Sequence, residues 1–145
     1  MKRPLALSVL PLVISLSACA PTTQTQPTFT YEGEARFLLL PQKLRVTYTV
    51  NPVTHEARGE YRNLSSGDTF TLSGTQLPTS DGETLTAKID PGDSPRLNAS
   101  LLGFGISNVP LKASGTLAAT VTATRLTGTL RVNGISYPVR LPRVR

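Results

Sequence analysis

Leu126-Thr-Gly-Thr-Leu-Arg-Val-Asn-Gly-Ile-Ser-Tyr-Pro-Val-Arg-Leu141 decides the fold. Asn-Gly is the strongest two-residue hairpin signal, because a type I′ turn needs positive φ at both central positions. Folding the chain about Asn133-Gly134 pairs Val132 with Ile135, Leu130 with Tyr137, Gly128 with Val139 and Leu126 with Leu141. Every pair sets one inward residue against another. A slip of one residue would oppose apolar to polar side chains throughout, so turn chemistry and hydrophobic pattern specify the register independently.

The same two-residue period runs upstream. Phe29, Tyr31, Gly33, Ala35 and Phe37 alternate with Thr30, Glu32, Glu34 and Arg36, and Leu44, Val46, Tyr48 and Val50 with Arg45, Thr47 and Thr49. His55, Ala57, Gly59 and Tyr61 then oppose Glu56, Arg58, Glu60 and Arg62, whose alternating charge suits the solvent side of paired strands. Further inward sets are Phe70 and Leu72; Leu85, Ala87 and Ile89; Leu97, Ala99 and Leu101; and Leu117, Ala119, Val121 and Ala123. Asn51-Pro52, Ser65-Ser66-Gly67-Asp68, Asp81-Gly82 and Asp90-Pro91-Gly92-Asp93 punctuate the runs as turns. With hairpin-sized connections, the pattern predicts an all-β domain: an antiparallel meander of about eight to ten short strands, forming a small barrel or a sandwich.

Small residues recur on the inward faces, among them Gly33, Ala35, Ala57, Gly59, Ala87, Ala119 and Gly128. They either let backbones approach closely or leave a cavity, and the pattern alone leaves both open. Leu101 to Val109 breaks the alternation and reads as a bulged strand or an apolar loop.

The first residues have a different character. A basic start (Lys2, Arg3), an apolar run from Leu5 to Leu16 and a small-residue segment form the layout of a secretory signal peptide. The run is shorter than the roughly 20 apolar residues a membrane span needs, and Pro4 and Pro11 interrupt it. Leu16-Ser17-Ala18-Cys19 resembles the lipobox of bacterial lipoproteins. That resemblance implies that residues 1–18 are removed and that Cys19, the chain's one cysteine, carries a diacylglyceryl group on its sulfur and is often acylated on its new amine. An ordinary A-x-A cleavage after Ala20 is the alternative and would discard the cysteine. Two or three acyl chains hold a protein firmly on a membrane where one does not. Ala20 stands where an Asp would mark inner-membrane retention in such lipoproteins, which points to the outer membrane if the host has one. Residues 19–28 read as the lipidated cysteine and a flexible tether, leaving 29–145 as a single β domain.

Fifteen basic and nine acidic side chains give a net charge of +6, and loss of Lys2 and Arg3 with the leader lowers it to +4. The distribution is uneven: residues 96–145 contain seven basic residues and no acidic one. Arg125, Arg131, Arg140, Arg143 and Arg145 are therefore candidates for contact with an anionic envelope lipid or polymer, or with another envelope protein. A solvated sheet face is the plainer alternative. Nucleic acid is not an expected partner of an exported chain that shows no basic stripe interleaved with exposed aromatics.

Catalytic chemistry finds little to stand on. One His and one Cys do not make a zinc site, and the carboxylates at Asp81-Gly-Glu83 and Asp90-Pro-Gly-Asp93 lack EF-hand spacing. His55 follows a Pro-containing turn and no nucleophile elbow accompanies it. Glu32 and Glu34 stand about 7 Å apart on one strand face, a glycosidase-like separation, but they alternate with inward apolar residues and so face water. Gly103-Phe-Gly105 is only a fragment of a phosphate loop. The expectation is a protein that is not an enzyme and uses no metal or cofactor.

The final hairpin is also similar to the closing hairpin of the YceI-like family, through its Gly-Thr-Leu, Asn-Gly and Pro-Val pattern. The resemblance implies an exported lipocalin-like barrel holding a long isoprenoid lipid, and no ligand residue carries over from it. Two functions follow as expectations. One is a lipid-anchored envelope protein with a non-enzymatic binding or assembly role. The other is a carrier of an apolar ligand, whose cavity would be lined by Phe29, Tyr31, Phe37, Tyr48, Phe70 and Tyr137.

Overall fold

The computed structural model describes residues 25–37, 40–91 and 114–145. Its strands are β1 (Thr28–Phe37), β2 (Leu40–Val50), β3 (Glu56–Asn63), β4 (Thr69–Thr79), β5 (Gly82–Asp90), β6 (Gly115–Val121), β7 (Arg125–Val132) and β8 (Ile135–Pro142). Each pairs antiparallel with its neighbour in sequence, in the order β1-β2-β3-β4-β5-β6-β7-β8. The last strand then returns to the first. Tyr31 and Arg143 form an antiparallel bridge, and the Val144 amide donates to the Thr30 carbonyl at 2.9 Å. The meander is thus a nearly closed barrel.

The β7–β8 register is the one the Asn-Gly turn dictates: Val132 with Ile135, Leu130 with Tyr137, Gly128 with Val139 and Leu126 with Leu141. Asn133 and Gly134 take φ of 51° and 80°, as a type I′ turn requires. Two other loops share one design. Asn51 accepts from the amides of Val53 and Thr54 through Oδ1, and Asn63 does the same for Ser65 and Ser66. Each loop closes four residues on, where His55 and Gly67 donate backbone N–H to the carbonyls of Asn51 and Asn63 with positive φ.

Burial alternates along every strand, most cleanly in β6, where Gly115, Leu117, Ala119 and Val121 are buried while Thr116, Ala118 and Thr120 are exposed. The inner wall forms one apolar core from Tyr31 to Leu141. The outer wall is polar: Glu56, Arg58, Glu60 and Arg62 on β3; Thr71, Ser73 and Thr75 on β4; Thr127 and Thr129 on β7. A barrel that crossed a bilayer through its strands would carry an apolar band at such outward positions.

The inward small residues serve curvature. A Cβ on Gly59 would lie 2.0 Å from the Thr47 carbonyl oxygen, one on Gly74 would lie 2.0 Å from that of Thr86, and one on Gly128 would lie 2.1 Å from that of Ala118. Eight strands close on themselves only by coiling tightly, and glycine permits the close backbone approach at such corners. Gly33 does this at the seam, where Pro142 and Leu141 of β8 press against it. Just past β8 the Arg143 amide donates to the Thr124 carbonyl before β7 and the Val144 amide to Thr30 of β1, so Pro138 and Pro142, which share Val144's side of the strand, interrupt no β7 ladder bond.

Three sequence expectations need correction. The β5–β6 connection runs from residue 91 to 114 and is not hairpin-sized; the strand expected around Leu97–Leu101 and the irregular stretch to Val109 lie outside the described residues. Ala123 falls in the exposed β6–β7 turn, since Thr122 Oγ1 accepts the Arg125 amide and ends the strand. Ile135 keeps its predicted pairing but is 52% exposed, although its partner Val132 is buried.

Candidate functional site

The meander fixes two mouths. One gathers the β1–β2, β3–β4, β5–β6 and β7–β8 connections. The other gathers the start of β1, the β2–β3, β4–β5 and β6–β7 turns, and the end of β8. The chemistry-bearing side chains divide between the inner wall and this second mouth.

All six residues expected to line a cavity lie on the inner wall. Phe29, half-buried, stacks on Tyr48 with ring centroids 5.3 Å apart, and Tyr31 stacks on the same tyrosine at 6.3 Å. At the opposite mouth Phe37 meets Tyr137 edge-on at 5.1 Å. Phe70 packs against Tyr61 at 5.9 Å, an aromatic whose inward position the alternation indicated but which the cavity set omitted. The six therefore fall into three separate clusters. Tyr31 and Phe37 have no accessible surface, and Tyr48, Phe70 and Tyr137 are buried.

Sequence reasoning missed a polar chain that enters from the second mouth. The Tyr48 hydroxyl donates to Gln76 Oε1 at 2.7 Å, and Gln76 Nε2 donates to Glu83. Gln76 is only 3% exposed, so the whole hydrogen-bonding capacity of its amide rests on these neighbours. The signal was present in the parity: Gln76 continues the inward series Phe70, Leu72 and Gly74. Gln42 and Asn63 likewise extend the series of Leu44 and Tyr61, and Asn63 Nδ2 donates to Gln42 Oε1 at 3.2 Å. In each case a buried polar side chain finds its partner inside the barrel.

Burial pushes the phenols of Tyr31, Tyr48 and Tyr61 above their ordinary value. For Tyr31 the nearby Arg143 partly opposes the shift. All three stay protonated under physiological conditions, which suits hydrogen-bond donors and not bases or nucleophiles. His55 sits in the β2–β3 turn. Glu32 lies on the outer wall, paired with Arg45 at 2.6 Å, and Glu34 is exposed beside it. Among the described residues no three of His, Cys, Asp and Glu gather as metal ligands would.

The five arginines separate. Arg125 opens β7 at the second mouth, with Arg140 close by on β8 and Arg143 and Arg145 following at the chain's end. Arg125 and Arg140 flank an open groove of about 370 Å³ completed by Thr124 and Pro142. The Arg143 guanidinium lies over the Phe29 ring, 5.2 Å from its centroid. Arg131 stands apart toward the first mouth, beside Lys88 and the Asn133-Gly134 turn in a groove of about 420 Å³. Cys19 lies outside the described residues. Comparison with protein-family models, with curated proteins and with solved structures finds no match.

Proposed function

We propose that this chain is a lipid-anchored protein of the cell envelope whose barrel acts through its outer surface, in a non-enzymatic binding or assembly role. One observation carries the reading. The inner-wall side chains, from Tyr31 on β1 to Leu141 on β8, have almost no accessible surface, so recognition falls to the outer wall and the mouths. The phenols that could take part in chemistry are held neutral by burial, and Gln76 is satisfied internally. The lipobox-like Leu16-Ser17-Ala18-Cys19 supports the anchor, and Ala20 supports the outer membrane in a two-membrane host. Labelled palmitate supplied to expressing cells should enter the protein and keep it with membranes at high salt, and Cys19→Ala should abolish both. An unlabelled protein released into the soluble fraction would refute the anchor.

The carrier of an apolar ligand is the second reading, favoured by the placement of all six aromatics on the inner wall and by the similarity of the last hairpin to the YceI-like family. It requires the wall to part. The β1–β8 seam, with a single bridge among the described residues, is where that parting would occur.

A further inference from the structure

We infer that the second mouth faces the anchoring membrane, and that Arg125, Arg140, Arg143 and Arg145 dock there on anionic phospholipid headgroups. The inference rests on the lipid-anchor reading of Cys19 and adds an orientation and a partner to it.

The topology supplies the orientation. Val144 is hydrogen-bonded to Thr30, so the end of β8 lies beside the start of β1. The chain from Cys19 to Thr28 therefore leaves the barrel next to Arg143 and Arg145. Nine residues span at most about 30 Å when fully extended, and far less as a flexible coil. An anchored Cys19 holds this rim near the bilayer surface and keeps the opposite mouth away from it.

Charge supplies the partner. On the outer wall, Arg45 pairs with Glu32, Arg58 with Glu56 and Lys88 with Asp90. Among the described residues, none of the four rim arginines pairs with a carboxylate, and all four are exposed. Asp81 and Glu83 of the second mouth belong to the β4–β5 hairpin, across the barrel from β8. At the rim the basic residues therefore gather beside the tether, while Glu32 and Glu34 follow further along β1 on the outer wall, where they share a groove with Val144. Electrostatic attraction to a membrane decays over about 8 Å at physiological ionic strength, so the tether is what brings the arginines within range. The groove at this rim is lined by both Arg125 and Arg140, and arginine is the side chain that recognises phosphate bidentately.

The test uses the lipidated protein in vesicles of phosphatidylcholine, with or without phosphatidylglycerol, containing a headgroup-linked quencher. Because Cys19 is the one cysteine and its sulfur carries lipid, a fluorophore can be placed on Thr124→Cys at the second mouth or on Ser136→Cys at the first. The proposal expects stronger quenching at 124 than at 136 in phosphatidylglycerol vesicles, with the contrast reduced by high salt. Arg125→Gln and Arg140→Gln change outward side chains away from the core, and each should weaken the docked state about fivefold. Equal quenching at both sites, or a contrast indifferent to phosphatidylglycerol and to these substitutions, overturns the docking while the anchor stands. A protein that fails to float with phosphatidylcholine vesicles at high salt overturns the anchor, and the orientation with it.

Discussion

Gly128 stands so close to Ala119 that a Cβ on the glycine would lie 2.6 Å from the alanine Cβ and 2.4 Å from its Cα. This pair joins β6 to β7 at one of the corners where the barrel bends. Gly128→Ala should therefore cost about 3 kcal/mol or more in chemical denaturation, at the upper end of overpacking penalties. Ala119→Gly should fail to rescue it, because the Ala118 carbonyl oxygen is nearer still. Rescue would show that the corner yields and that the coil of the barrel is not what demands glycine.

Tyr48 and Gln76 act as one unit. Tyr48→Phe leaves Gln76 Oε1 without its donor, and Gln76→Leu strands the Tyr48 hydroxyl; each should cost about 1–3 kcal/mol. The double variant should cost less than the sum, since it removes both halves of the same bond. Additive losses in a double-mutant cycle would mean that the bond contributes nothing.

Stability should fall at alkaline pH. Tyr48 and Tyr61 have folded-state pKa values raised above the usual 10.0. Above about pH 10 the unfolded chain therefore loses protons that the barrel retains, and unfolding becomes easier with each further pH unit. The slope is about 1.4 kcal/mol per pH unit for each tyrosine so held. Denaturant midpoints should be level with respect to these groups below that pH and decline above it, and Tyr61→Phe should flatten the decline. A flat alkaline limb in the parent protein would contradict the burial of these phenols.

His55 has φ of 60° in a loop whose counterpart places Gly67 at φ 83°. The left-handed conformation costs an L-residue roughly 1–2 kcal/mol, and glycine gives back part of that as unfolded-state entropy. His55→Gly should stabilise the protein by about 0.5–1 kcal/mol, read as a raised thermal midpoint. Destabilisation would reveal a contact of the imidazole that the loop needs.

The sheet was legible in the sequence because period-two alternation and the Asn133-Gly134 turn constrain the same register from independent physics. Closure was not, since alternation describes which face a residue occupies and says nothing about how far the sheet curls. That depends on corner glycines such as Gly59, Gly74 and Gly128, whose role emerges only when the neighbouring strand is in place. The inward aromatics were read correctly as to face, but not that they would divide into three clusters. The Tyr48–Gln76–Glu83 chain was missed because a polar residue at an inward position reads as a break in the pattern. Only its partners on β2 and β5 make such burial possible. The rim arginines were visible as a C-terminal excess of charge, whereas the separation of Arg131 from the other four follows from strand direction.

The most direct test of a barrel that works from the outside is native mass spectrometry of the lipidated protein, purified from its host's own membranes. A packed barrel predicts the mass of the lipidated chain alone, with no further apolar molecule retained. A stoichiometric apolar ligand, lost when Ala119→Leu fills the interior, would contradict the packed core and make the carrier reading the right one.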